Sequence, residues 1–181
     1  MERVLIIGSS GAGKSTMSVA LGEKTGLPVV HLDKLFWREG WQHIPKEEFD
    51  RLLAAELEKP LWIIDGNYDR TLPVRMAYCD TVIYLDYPRW QCMLGVAKRI
   101  LTTYGKVRPD MGSGCPERLD REFIKWVWNF NRDKRADLYQ ALQQAENIKI
   151  IILKNRKAGK AFLQNLPSAK NRGRAPIVRA R

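Results

Sequence analysis

The stretch LIIGSSGAGKST, Leu5 to Thr16, decides how the rest of the chain is read. An apolar run enters a glycine-rich turn, and Lys-Ser-Thr leaves it. Gly8, Gly13, Lys14 and Ser15 fit the spacing G-x-x-x-x-G-K-[ST], with a strand pattern before it and a helix pattern after it. The spacing predicts a phosphate cradle built from Gly8, Ser9, Ser10, Gly11, Ala12, Gly13, Lys14, Ser15 and Thr16. The glycines let the backbone approach phosphate closely, and successive N–H groups with the helix N-terminus favour an anion. Lys14 supplies a cation to the terminal phosphates, and Ser15 offers a hydroxyl to Mg²⁺. ATP and Mg²⁺ are therefore the expected ligands. The cradle leaves open whether the acceptor is water or a small molecule, or whether nucleotide acts only as a switch.

Outward from the cradle, apolar runs alternate with helical patterns. Strands are expected at 3–7, 28–32, 61–64, 81–85 and 148–153, short and rich in Val and Ile as buried parallel strands are. Helices are expected at about 14–25, 46–59, 88–103, 116–145 and 157–166. The alternation implies an α/β fold of three layers, a parallel sheet between helices. Two segments break the rhythm. Residues 103–117, TYGKVRPDMGSGCPE, carry glycine and proline punctuation and read as a mobile loop. Residues 167–181 carry five cations and no acid, and read as a disordered tail.

The chain has 181 residues, 45% hydrophobic and 28% charged, the composition of one globular domain. No apolar run approaches the roughly 20 residues of a membrane span. Cys79, Cys92 and Cys115 form no CxxC pair, which argues against a zinc or disulfide framework and fits a reduced, cytoplasmic setting. Lys plus Arg is 31 against 20 acids, a net charge of +11, which draws a protein to polyanions without choosing among nucleotide, nucleic acid and a merely soluble surface.

Several residues are candidates for the metal and the acceptor. Asp65 ends the strand LWIID and Asp86 ends VIYLD; Asp65 is the better candidate to order Mg²⁺. Asp33, in HLDKLFW, sits where parallel strands gather their ligands, and is open between general base, acceptor binder and helix cap. Trp37 and Trp41 are open between stacking on a planar acceptor and packing an irregular segment, with packing favoured. Arg70, five residues after Asp65, suits a clamp on an acceptor anion. Arg75 reads as solvated, His31 as a strand residue near the core and His43 as surface. From Pro116 on, Arg118, Arg121, Lys125, Trp128, Arg132 and Arg135 recur every three or four residues and share one helical face. That face could line a triphosphate channel or track a nucleic-acid backbone. A helix break near Asn129 would turn Arg132 and Arg135 away from it.

Together, GSSGAGKST, VVHLDKLFW, WIIDGNYDRT, VIYLDYPRW, RPDMGSGCPER and FIKWVWNF resemble the bacterial DNA topology modulation proteins, themselves similar to adenylate kinase within the P-loop kinases. The resemblance runs to about Leu166. It implies a P-loop NTPase fold with a five-stranded parallel sheet in order 2-3-1-4-5, a kinase-like domain over 1–166, and a lid at about 104–120 that closes over ATP. It makes Arg108 a lid arginine, Arg99 a contact to adenine or phosphate, and Arg121 and Arg132 the paired arginines after the lid. It assigns Asp65 to magnesium and Arg70 to acceptor phosphate. The proline of the adenylate-kinase motif DGFPRT is absent from DGNYDRT, and HLDKLFW does not look like an AMP site. The expectation is thus an ATP-dependent phosphotransferase. Lys14, Asp33, Arg121 and Arg132 would be catalytic, and Asp33, Arg70 and Trp37 would face a nucleotide or other small-molecule acceptor. The alternative is an ATP-gated protein that binds DNA.

Overall fold

The strand β1, Arg3–Gly8, lies at the centre of the sheet, and Val4, Leu5 and Ile6 are fully buried. In the computed structural model, which describes residues 1–167, five parallel strands take the order β2-β5-β1-β6-β7. They are β2 at Val29–His31, β5 at Trp62–Asp65, β6 at Thr81–Leu85 and β7 at Lys149–Leu153. Counting only the five strands expected from the sequence, this is the order 2-3-1-4-5. In register, Ile6 of β1 lies beside Asp65 and Gly8 beside Leu85. All five strands therefore end at one edge, and that edge carries the glycine-rich turn, Asp65 and Asp86.

Apolar side chains alternate to both faces of the sheet, so a core forms on each side. On one side Leu5, Ile7, Trp62, Ile64 and Tyr84 meet α3, Lys46–Leu57, and the second half of α6, Arg121–Gln143. On the other Val4, Ile6, Ile63, Ile83 and Leu85 meet α1, Lys14–Thr25, α5, Arg89–Thr103, and α7, Arg156–Asn165. Burying a side chain of this size contributes roughly 1.5–3 kcal/mol. The helix α1 stops at Gly26, whose φ of 78° suits a glycine and whose N–H donates to the Gly22 carbonyl at 2.8 Å.

The structure differs from the sequence reading in four places. The helix expected from 116 begins at Arg121, because the Asp120 carboxylate accepts the Phe123 N–H at 3.0 Å and sets the N-cap there. It runs unbroken to Gln143, so no break occurs near Asn129. Between β2 and α3 the chain forms a short helix, α2 at Leu32–Phe36, and a two-stranded antiparallel hairpin, β3 at Trp37–Arg38 and β4 at Gln42–His43. Its turn places Gly40 at φ 72° and Trp41 at φ 61°. After β5 a further helix, α4 at Leu72–Tyr78, buries Arg75 completely. The basic segment from residue 168 to 181 lies outside the described residues.

Candidate active site at the C-terminal edge of the sheet

The cradle is built by close backbone contact. A Cβ on Gly11, at φ 77°, would collide with the Cys92 carbonyl of α5, and one on Gly8 would lie 2.7 Å from the Leu85 carbonyl. Gly13, at φ 96°, turns the chain into α1. Lys14 folds back over the loop, and its ammonium donates to the carbonyls of Gly8 at 2.8 Å and Ser9 at 3.2 Å. Burial lowers its pKa, opposed by the charges of Asp65 and Asp33. A cation bonded only to carbonyls in a concave loop fits an incoming phosphate.

Asp65 is buried at the end of β5. One of its oxygens, Oδ2, accepts the Ser18 hydroxyl at 2.5 Å and sits 2.8 Å from His31 Nδ1. Burial works to lower the His31 pKa, but the Asp65 hydrogen bond and charge carry it above the ordinary value. His31 is thus a partner of the strand-end carboxylate, one step from its expected core role. Ser15 finds a different carboxylate: its hydroxyl donates to Asp110 Oδ2 at 2.7 Å. Asp86, the other strand-end aspartate, is engaged through one oxygen, Oδ2, which accepts Arg135 at 2.8 Å, Lys154 at 2.7 Å and the Tyr139 hydroxyl at 2.8 Å, while Oδ1 is buried with no hydrogen-bond partner among the described residues. It is a structural anchor for α6 and β7.

Asp33 stands in the first turn of α2, where the Tyr68 hydroxyl donates to its Oδ1 at 2.7 Å. Burial raises its pKa, against the lowering effects of that bond and of Lys14. Tyr68 belongs to the loop after Asp65, and Arg75 holds that loop. Its guanidinium donates to the carbonyls of Gly66 at 3.0 Å, Asn67 at 2.6 Å and Tyr68 at 3.0 Å, and to Thr71 Oγ1 at 3.2 Å. An irregular buried loop exposes carbonyls that no ladder satisfies, and the arginine fork satisfies them. The solvated reading of Arg75 is corrected on that ground. Asn67 ties the same loop to the cradle, its Oδ1 accepting the Gly8 N–H at 3.1 Å.

The segment 104–120 closes onto this edge. Glu117 is buried and receives Arg99 of α5 at 2.9 Å and Arg108 at 2.9 Å; Arg108 also holds Asp110 at 2.7 Å. Arg99 and Arg108 are thus brought together on Glu117, and Arg108 reaches the glycine-rich turn through Asp110. The hairpin meets the same segment: the Gly40 N–H donates to the Gly114 carbonyl at 3.0 Å, Trp41 Nε1 to the Pro116 carbonyl at 3.1 Å and the Cys115 thiol to the Arg38 carbonyl at 3.0 Å. Arg118 lies 5.2 Å over the Trp41 ring. Trp37 packs edge-on to Phe36 and Trp41, and its carbonyl abuts Gly112. Both tryptophans therefore pack, the favoured reading of the two.

Other expected site residues stand apart. Arg70 pairs bidentately with Asp50 of α3 at 2.7 and 2.8 Å, both half exposed, and does not face the cradle. Arg132 is 69% exposed and pairs with its neighbour Asp133 at 2.7 Å. In the unbroken α6 Arg132 lies on the same exposed face as Arg121, Lys125 and Trp128. Arg121 is exposed at the first residue of α6. The expected basic stripe is divided: Arg118 leans on Trp41 and Asp120, Arg132 on Asp133 and Arg135 on Asp86. Sequence reasoning missed Arg156, whose guanidinium donates to the Gly11 carbonyl at 2.7 Å from the start of α7. The run KNRK gave no signal for it beyond its charge.

A family model described as isopentenyl transferase matches residues 1–37, the cradle and the strand after it. A comparison with curated protein sequences found no match. Among solved structures, the chain is similar to shikimate kinase from Bacteroides thetaiotaomicron, with a TM-score of 0.52 at 20% identity, covering 90% of this chain and 94% of that one. It is also similar to shikimate kinase from Acinetobacter baumannii in complex with shikimate, with a TM-score of 0.53 at 18% identity, covering 91% and 89%. The fold shared with these two structures is an α/β architecture with a five-stranded parallel sheet. At these identities the likeness describes the fold alone.

Proposed function

We propose that the protein is an ATP-dependent phosphotransferase that moves the γ-phosphate to a small-molecule or nucleotide acceptor. The observation that supports this best is the joint placement of Lys14 and Asp33 at the C-terminal edge of the sheet: a cation seated on the Gly8 and Ser9 carbonyls of the glycine-rich turn, and a carboxylate in the first turn of α2 held by the Tyr68 hydroxyl. In this reading the cradle N–H groups and Lys14 bind the triphosphate and hold charge as the phosphoryl group moves. Arg99 and Arg108 bind phosphate oxygens from the lid side. Asp33 accepts the proton of the acceptor hydroxyl, and Tyr68 orients the carboxylate that does so. The segment 104–120 excludes water, which keeps ATP from hydrolysis. The site fits Mg²⁺ through the Ser15 hydroxyl and the carboxylates beside it; when bound, the ion neutralises developing charge on the phosphates.

The test is ATP turnover with Mg²⁺ against nucleosides, nucleotides and hydroxylated metabolites, with phosphorylated product and free phosphate measured separately. One acceptor should give product well above the hydrolysis rate. Hydrolysis raised only by DNA, with no product from any acceptor, would replace this reading with the DNA-binding one. No feature of the divided α6 stripe favours that outcome.

A further inference from the structure

The carboxylate nearest Ser15 comes from the lid and not from a strand end. Ser15 donates its proton to Asp110 Oδ2 at 2.7 Å, and Asp110 is held from behind by Arg108 at 2.7 Å. The strand-end candidate, Asp65, is engaged one helical turn further along α1, with Ser18 at 2.5 Å and with His31 at 2.8 Å. Arg108 is in turn tied to Glu117, and Glu117 to Arg99 of α5. A continuous polar chain therefore runs from the cradle hydroxyl through the lid to the core helix.

A serine hydroxyl that donates its single proton to a carboxylate keeps both lone pairs for a cation. Mg²⁺ in nucleotide sites takes one or two protein groups and completes its shell with water and phosphate oxygens. Groups just outside the metal's shell orient its ligands and raise its affinity.

We infer that Asp110 is the metal-positioning carboxylate of this protein: it orients Ser15 toward Mg²⁺ when the lid is closed, so that metal binding and lid closure stabilise each other. This rests on the reading of the cradle as a Mg·ATP site. The coupling is reciprocal: a lid held shut tightens metal binding, and bound metal holds the lid shut. An open lid would take Asp110 away and weaken the metal, which links release of the ion to release of product.

The experiment measures ATP affinity by calorimetry in EDTA and across a Mg²⁺ titration, for the wild type, Asp110→Asn, Asp110→Glu and Lys14→Ala. Circular dichroism and thermal melting confirm that each variant folds. In the wild type Mg²⁺ tightens ATP binding. Asp110→Asn should raise the Mg²⁺ concentration needed for that gain by about 10–100-fold, with affinity in EDTA unchanged or tighter, because a negative charge beside the phosphates is gone. Asp110→Glu should recover part of the loss. An unchanged Mg²⁺ requirement in folded Asp110→Asn overturns the inference, and so does a lowered one, which would make Asp110 a competitor of the ion. If the wild type binds no ATP and Lys14→Ala changes nothing, the nucleotide reading itself fails. If the wild type binds ATP, Lys14→Ala weakens binding and Asp110→Asn keeps the wild-type Mg²⁺ requirement, only the role of Asp110 fails.

Discussion

The two sides of the site are made of different material. The cradle is backbone, shaped by Gly8, Gly11 and Gly13 within nine consecutive residues and pressed against α5 and β6. The proposed acceptor side is made of side chains that meet from distant parts of the chain: Asp33 with Tyr68, and Trp41 of the hairpin with Pro116. A backbone site is fixed by local φ and ψ, and its sequence requirement is contiguous and strict. A side-chain site is fixed by packing, so its residues are scattered and its geometry depends on the lid and hairpin staying together. The cradle should tolerate losses at the lid, whereas the acceptor side should fail at many single points.

The largest expected effect falls on the loop that carries Tyr68. Arg75→Ala should lower stability by about 3–5 kcal/mol, since the Gly66 and Asn67 carbonyls lose the guanidinium as donor at about 1 kcal/mol or more each and a cavity remains where a fully buried side chain stood. The urea midpoint measures this. A near-neutral result would mean the acceptor side is not built on Arg75. Next is the cradle itself: Lys14→Ala should reduce phosphoryl transfer by about 10²–10³ while leaving the fold intact, judged by kcat and by circular dichroism. Asp33→Asn should lower transfer by about 10² or more with nucleotide affinity kept, which separates the two sides kinetically. Burial holds Asp33 above the ordinary carboxylate range, and the base must be ionised. Wild-type transfer should therefore fall as pH drops through that raised value, at a higher pH than an exposed carboxylate would give. Loss of nucleotide binding in Asp33→Asn would erase the contrast.

Smaller effects sharpen it. Trp41→Phe removes one hydrogen bond to the lid, worth about 1 kcal/mol. It should raise hydrogen exchange in residues 104–120 without changing exchange in α1. Arg70→Ala should leave the KM for the acceptor unchanged, because the side chain is paired with Asp50 in solvent. A raised KM would return Arg70 to the acceptor and mean that the pair opens in the working enzyme.

What could be read from the sequence follows the same division. The motif at Gly8–Ser15 and the five Val- and Ile-rich runs located the cradle, the parallel sheet and, through the resemblance, its strand order. Each is a local pattern: glycines where φ must be positive, apolar runs where both faces of a strand are buried. Arg75 reads as solvated in the sequence and is buried in the structure, because a cation carries the same letter whether it satisfies buried carbonyls or points to solvent. The helix N-cap at Asp120 was overlooked because the basic periodicity begins before the helix does. The hairpin at 37–43 has two-residue strands, too short for any alternation to show.

The amino-acid sequence by itself determined that this chain makes a glycine-shaped turn at the edge of a parallel sheet, since that outcome depends on residues adjacent in the chain. Tertiary structure alone decided which carboxylate serves Ser15. Asp65 and Asp86 sit at strand ends as expected, yet His31 with Ser18 holds one and Arg135 with Lys154 fills the other. Asp110 arrives from 95 residues away on a segment positioned by ion pairs to Arg99 and by the Trp41 hairpin. Contacts at that separation are selected by the packing of the whole fold, and no local spacing encodes them.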